Sequence, residues 1–187
     1  MDKVYLQKVK NGEPNAFSYF VRTYKEAAFG IAFSVLKNTF DAEDVVQEAF
    51  IKIYKNIAAF KEEAKFSTWL YRIVVNEAYK KIKSDKKHLY ADISDSEINR
   101  ADLQTHALEK EELTHFVTLS IEALSPDFSL ALQLFYIKEH SIDEICEITA
   151  WSLSKVKVTL HRARNQFYTQ MEKLLKNEAK TLHYSHN

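Results

Sequence analysis

In the stretch "DAEDVVQEAFIKIYKNI", apolar residues fall at Val45, Val46, Ala49, Phe50, Ile53, Tyr54 and Ile57. Steps of one and three of this kind predict a helix that buries one stripe. Acidic residues crowd its first turn, where the positive end of the helix dipole stabilises them. Upstream, the segment after "NGEP" opens another helix, with Pro14 near its first turn, where a missing N–H costs nothing. Downstream, a third helix is predicted from about Phe66 to Lys83, with Phe66, Leu70, Ile73, Val74 and Ile82 facing inward. Residues 85–112 lose this periodicity until about Leu103 and turn acidic. They read as a linker, helical at its C-terminal end at most.

Four more helical segments follow. Residues 107–123 form the first. It leads into "LSPDF", where Ser125 is placed to cap the next helix and Pro126 to occupy its first position. That helix is apolar through Leu130, Leu132, Leu134 and Phe135 and ends near His140. "SIDE" then matches a capping box, Ser141 with Glu144 three residues on, and opens a short helix carrying Ile142, Ile145 and Cys146. After a turn at Ala150 and Trp151, Ser152 caps a long final helix with Val156, Leu160, Ala163, Phe167 and Leu174 inward. A short helix, a tight turn and a longer basic helix form a helix-turn-helix, whose second helix enters the major groove of DNA.

Composition narrows the classes. A chain of 187 residues with 46% apolar content holds one large or two small globular units. Two glycines and two prolines argue against an all-β fold and leave no glycine-rich phosphate loop. The lone Cys146 excludes an internal disulfide and a multi-cysteine zinc site. No apolar run approaches a membrane span, and the N-terminus lacks a signal-peptide core, so a cytoplasmic protein without membrane insertion is expected. The expected fold is all-α: two small helical domains joined by a flexible acidic linker, the C-terminal one a helix-turn-helix.

Net charge is zero, with 26 basic and 26 acidic residues, but it is unevenly placed. Residues 1–87 and 153–187 each carry +5, while 88–112 and 113–152 each carry −5. Within the first block, residues 65–87 hold seven basic and two acidic groups. Two basic stretches are thus separated by an acidic middle, and each can engage phosphates locally. Taken alone, the basic run "SLSKVKVTLHRARNQF" is equally a solvated helix face. On the third helix Arg72, Asn76, Tyr79, Lys80 and Lys83 recur on one outward face. Cations, an amide and a ring in that pattern suit single-stranded nucleic acid, and equally a plain surface. No stretch offers a convergent nucleophile and base or a ligand cluster, so an enzyme is not expected, and neither is a cofactor or metal.

"DAEDVVQEAFIKIY", "FSTWLYRIVVNEAYKKI" and "IDEICEITAWSLSKVKVTLHRAR" occur in this order and resemble a bacterial extracytoplasmic-function (group IV) sigma factor. The resemblance spans roughly residues 10–85 and 115–175. It implies a domain two over 1–87, a linker over 88–112 and a domain four over 113–187. It implies that the chain binds core RNA polymerase, at the clamp coiled coil and the flap, and directs it to promoter DNA; an anti-sigma factor is a candidate partner. Asp44, Gln47 and Glu48 would dock on the clamp coiled coil. Phe60, Lys61 and Lys65 in the loop, with Arg72, Asn76, Tyr79 and Lys80 on the helix, would hold the melted minus-ten element. Trp69 would be mainly structural. Lys155, Lys157, Val158, His161, Arg162 and Arg164 would meet the minus-thirty-five duplex, some of them only at phosphates.

The chain departs from the family pattern at the turn, where Ala150 and Trp151 replace a usual glycine and small apolar residue, and at Thr159, a frequent arginine position. Those departures bear on promoter preference. Two other readings remain at this point: a freestanding helix-turn-helix regulator, and a helical adaptor whose basic faces meet acidic partners.

Overall fold

The computed structural model describes residues 1–89 and 110–184. Most of the predicted linker, 88–112, therefore lies outside the described residues; its ends continue the flanking helices. The first half contains α1 (Asp2–Lys10), a 3-10 turn (Pro14–Phe17), α2 (Ser18–Leu36), α3 (Thr39–Asn56), a second 3-10 turn (Ile57–Ala59) and α4 (Phe66–Leu89). Pro14 does open a helical turn, but the α-helix proper begins at Ser18. Asn38 caps α3 by accepting from the Asp41 N–H at 3.0 Å.

Helices α2, α3 and α4 pack on one another around Phe20, Ile31, Ile53, Leu70 and Val74, all shielded from solvent. A fully buried side chain of this size contributes about 1.5–3 kcal/mol by leaving water. Tyr54 leaves the predicted stripe: it is 44% exposed and meets Phe17 edge-on. Helix α1 was not predicted, because Leu6 is the single residue it buries. It is fixed instead by polar and aromatic contacts. The Asp2 carboxylate accepts from the Tyr19 and Tyr24 hydroxyls, and Tyr5 stacks on Tyr19 with ring centroids 4.0 Å apart.

The second half contains α5 (Lys110–Glu122), α6 (Pro126–Leu132), α7 (Ile142–Thr149) and α8 (Leu153–Tyr184), with a π-turn at Gln133–Ile137 between α6 and α7. Pro126 takes the first helical position as expected, but the Ser125 side chain makes no cap. The capping box at Ser141 and Glu144 is complete in both directions. Ser152 caps α8 through the Lys155 N–H at 3.2 Å. Ala150 terminates α7 in the left-handed region, at φ 58°.

The sequence treats the halves as separate, yet here they share a core. Helix α6 lies on α2 and α7 on α4. Leu130, Leu134, Ile145 and Ile148 join the same buried cluster as the residues of α2 and α4. Gly30 of α2 faces Gln133 so closely that a Cβ would come within 2.7 Å of its Nε2. Leu124, Leu132 and Ala163 form a smaller cluster beneath α8 with Phe128 and Phe167. Among the described residues, no helix is long and apolar enough to cross a membrane.

Candidate nucleic-acid interface

Helices α7 and α8 form the predicted helix-turn-helix. Val156, Leu160 and Ala163 are buried and fix the roll of α8, which leaves Lys155, Lys157, Val158, His161, Arg162 and Arg164 exposed along its outer side. Val158 is 44% exposed, an apolar group suited to a thymine methyl. Among the described residues neither Lys157 nor Arg162 has an ion-pair partner. Arg164 donates from Nε to the Leu160 carbonyl at 3.3 Å, and Asn165 lies 3.4 Å from the His161 ring. Lys155 is engaged twice within the protein: its ammonium sits 4.2 Å from the Trp151 ring centroid and 3.1 Å from Asp127 Oδ2. Thr159 is buried, so this departure from the family pattern falls on the inner side of the helix.

On the first half, α4 exposes Arg72, Asn76 and Lys80 together, with Lys80 3.9 Å from Glu77. Tyr79 corrects the expected outward face. It is half-buried against α6, and its hydroxyl donates to Asp127 Oδ1 at 2.6 Å. Burial, then this carboxylate, pushes the phenol upward from its ordinary 10.

The loop between α3 and α4 places Phe60 in the core, only 7% exposed and packed on Phe66 and Trp69. Phe60 therefore shapes the loop from inside. Lys61 is exposed. Lys65 reaches across to α7, its ammonium donating to Glu144 Oε1 at 2.7 Å. That bond, helped by the Ser141 N–H, holds the Glu144 carboxyl down at about 2. A cleft of about 400 Å³ opens beside the loop, lined by Phe60, Lys61, Trp69 and Arg72, with Glu147 of α7 on its wall. The half-buried Trp69 both packs against the core and shows an edge in this cleft.

Asp44, Gln47 and Glu48 are all exposed on α3, on the side away from buried Val45, Val46, Ala49 and Phe50. Such a face is free to meet a partner without disturbing the core.

Sequence reasoning missed four residues at the seam between the halves. Asp127 and Glu144 have just been described. Lys37 ends α2 in the left-handed region and donates to the Ile121 carbonyl at 2.9 Å and to Ser129 Oγ at 2.7 Å. Burial lowers its ammonium to about 8. His140 packs edge-on against Tyr71 of α4, with Nδ1 3.5 Å from Glu144 Oε2. The available signal was charge: the basic stretch 65–87 and the acidic stretch 113–152 are complementary, and the fold brings them together.

An all-helical chain with a helix-turn-helix and a second exposed polar and basic face has the form of a nucleic-acid-binding transcription protein. Comparison with known proteins makes the class specific. Sigma-70 region 2 matches residues 20–88, and Sigma-70 region 4 matches residues 117–167. The chain is 33% identical over 184 residues to the ECF RNA polymerase sigma factor SigW of Bacillus subtilis (strain 168), covering 93% of this chain and 98% of the relative. It is 29% identical over 185 residues to the ECF RNA polymerase sigma-E factor of Escherichia coli (strain K12), covering 94% and 96%. The chain belongs to the extracytoplasmic-function sigma factors.

Two solved structures share the fold. One is the sigma factor RpoE in complex with the anti-sigma factor NepR from Bartonella quintana, with TM-score 0.67, 20% identity and coverage of 83% of this chain and 96% of that one. The other is CnrH in complex with the cytosolic domain of CnrY, with TM-score 0.64, 18% identity and coverage of 92% and 97%.

Proposed function

We propose that this chain binds core RNA polymerase and directs it to promoters, with the work divided between its halves. Exposed Asp44, Gln47 and Glu48 of α3 dock on the clamp coiled coil, and domain four meets the flap. The α8 face from Lys155 to Arg164 reads the minus-thirty-five duplex. Arg162 and Lys157 are the exposed cations best placed for base edges or phosphates. Arg72, Asn76 and Lys80, with the cleft beside Lys61 and Trp69, receive minus-ten bases once the strands part. A base turned out of the stack costs a few kcal/mol, which a snug pocket offsets. Tyr79 joins that surface only after leaving Asp127. We place the domain limits at 1–87 and 113–187, with the linker between.

The chain itself performs no catalysis; the polymerase supplies the chemistry, and the setting is the cytoplasm. An anti-sigma factor is the candidate regulator, by analogy with RpoE from Bartonella quintana, whose solved structure is a complex with the anti-sigma factor NepR. The observation that carries this reading is the presence, in one chain, of an exposed basic face on the second helix of a helix-turn-helix and a separate exposed amide-and-cation face on α4. Reconstitution tests it. Purified chain added to bacterial core polymerase should yield promoter-specific initiation. Tight specific duplex binding by the chain alone, with no polymerase effect, would instead indicate a freestanding regulator.

A further inference from the structure

Lys155 opens the exposed side of α8, and its ammonium is held from two directions. It lies 4.2 Å from the Trp151 ring centroid and 3.1 Å from Asp127 Oδ2. Trp151 is fixed in its turn. Its N–H donates to Thr149 Oγ1 at 3.2 Å, the Thr149 hydroxyl donates to the Ile145 carbonyl at 2.6 Å, and its half-buried ring packs on the shared core. The stability of α8 does not call for this cation. It stands in the first turn, where the helix dipole disfavours positive charge. A solvent-accessible pair of this kind, with the lysine side chain 47% exposed, adds little. What the two contacts do is order a side chain that would otherwise be a hydrated point charge on a flexible stem.

We propose that Trp151 is a positioning residue for minus-thirty-five recognition: its ring, with Asp127, fixes the Lys155 ammonium beside the turn, where it meets a phosphate of the duplex. The inference rests on the reading of α8 as the duplex-facing helix. Lys155, Val158 and Arg162 follow one another at steps of three and four and so share a line along α8. Val158 and Arg162 continue that line with groups suited to base edges. Lys155 ends it, and its ammonium is drawn back toward the turn and α6. The elements that precede a recognition helix are the ones that cross the DNA backbone, so a cation held there faces phosphate and not the groove floor. Asp127 takes one of three ammonium protons, and the other two stay available. Such a contact carries no sequence information; it sets how the helix is seated, and through that which bases Arg162 and Val158 reach. The bulky ring at Trp151, where the family pattern has a small apolar residue, thereby acts on promoter preference without touching DNA.

The test uses holoenzyme reconstituted from bacterial core polymerase and the full chain. The probe is a promoter duplex that the parent holoenzyme selects from a randomised library. Binding is titrated across salt concentrations in the cold, with strands closed, and phosphate contacts are mapped by ethylation interference. Lys155→Met should lose one interfering phosphate and lower the salt slope by about one. Trp151→Leu should weaken binding by about threefold, the loss of a solvent-accessible cation–π contact, and fade the signal at that same phosphate. Trp151→Phe keeps a ring and should stay within about twofold of the parent. Trp151→Leu added to Lys155→Met should weaken binding no further, since the ring acts only through the ammonium. An unchanged phosphate map in Lys155→Met would overturn the inference. So would an equal loss from Trp151→Leu with and without Lys155, which would make the ring a prop for the turn, or a Trp151→Phe chain no better than Trp151→Leu. Arg162→Ala is run alongside. If it leaves binding unchanged, the reading of α8 has failed and the inference falls with it; if it weakens binding, the Trp151 and Lys155 results judge the positioning alone.

Discussion

Lys37 and Ser129 join the two halves of the molecule: the ammonium at the end of α2 donates to the hydroxyl on α6 at 2.7 Å. Burial keeps this ammonium at about 8, against the pull of the Glu122 carboxylate, which favours its charge. Its ordinary value is 10.5, so a chain with its halves apart holds more protons between those limits than one with them packed, and the packing of the halves strengthens as pH rises through them. Tyr79 acts in the opposite sense. Its raised phenol keeps its proton while α6 is packed on it, so that packing weakens once a freed phenol would ionise, near 10. We therefore expect the chain to become more compact from pH 8 to 10, and Lys37→Met to flatten that trend in scattering profiles. Lys65, followed by the Ser141 N–H, holds the Glu144 carboxyl at about 2, and the Lys65 share of that lowering supports packing of the halves above the ordinary carboxylate range and is lost as pH falls below it. Acid should expand the parent and leave the Glu144→Gln chain less affected.

The α3 face gives a prediction that separates docking from folding. Asp44→Lys with Glu48→Lys should abolish association with core polymerase. Both residues are exposed, so melting should move by no more than about 0.5 kcal/mol per site. Pull-down and circular dichroism on the same preparations measure the two quantities, and intact association would mean that this face is simply solvated.

Arg162 and Asn76 should act at different steps. Arg162→Ala should weaken the closed promoter complex by about 1–3 kcal/mol if the guanidinium reads a base edge. Asn76→Ala should spare that complex and reduce strand opening. A template already mismatched across the minus-ten region should rescue Asn76→Ala and leave the Arg162→Ala defect in place. Permanganate footprinting on both templates resolves the two.

Ala150 offers a stabilising change. Its φ of 58° lies where a Cβ is crowded, and glycine removes that crowding. Ala150→Gly should raise stability by about 0.5–1 kcal/mol, after the entropy glycine loses on folding. Thermal melting checks this; a drop in melting temperature would show that the turn gains more from the alanine methyl than the strain costs.

The helices with a continuous apolar stripe were legible in the sequence, and so was the capping box at Ser141, because short-range spacing alone produces them. The exposure of Asp44, Gln47 and Glu48 was legible for the same reason: they fill the gaps of the buried stripe. Helix α1 was not, since a single buried leucine leaves no period to detect. Tyr79 was misplaced because its pattern on α4 is that of an outward residue; only the arrival of α6, 48 positions later, turns it into a half-buried donor. Phe60 sits in a loop, where spacing carries no information about which way a side chain turns. The acidic stretch 113–152 was noticed as charge, but its partner could be known only from the packing of α7 on α4.

One contact at the other end of the chain bears on how such a protein can be cut. Lys10, the last residue of α1, donates to the Phe60 carbonyl at 3.1 Å and to Glu62 Oε1 at 3.1 Å, bracing the loop between α3 and α4 from behind. The family match begins only at residue 20. A fragment trimmed to the matched region would keep every residue assigned to polymerase and DNA and still lose the strut that sets the loop's position. On the proposed assignment, such a fragment should still associate with core polymerase while gripping the opened strand poorly.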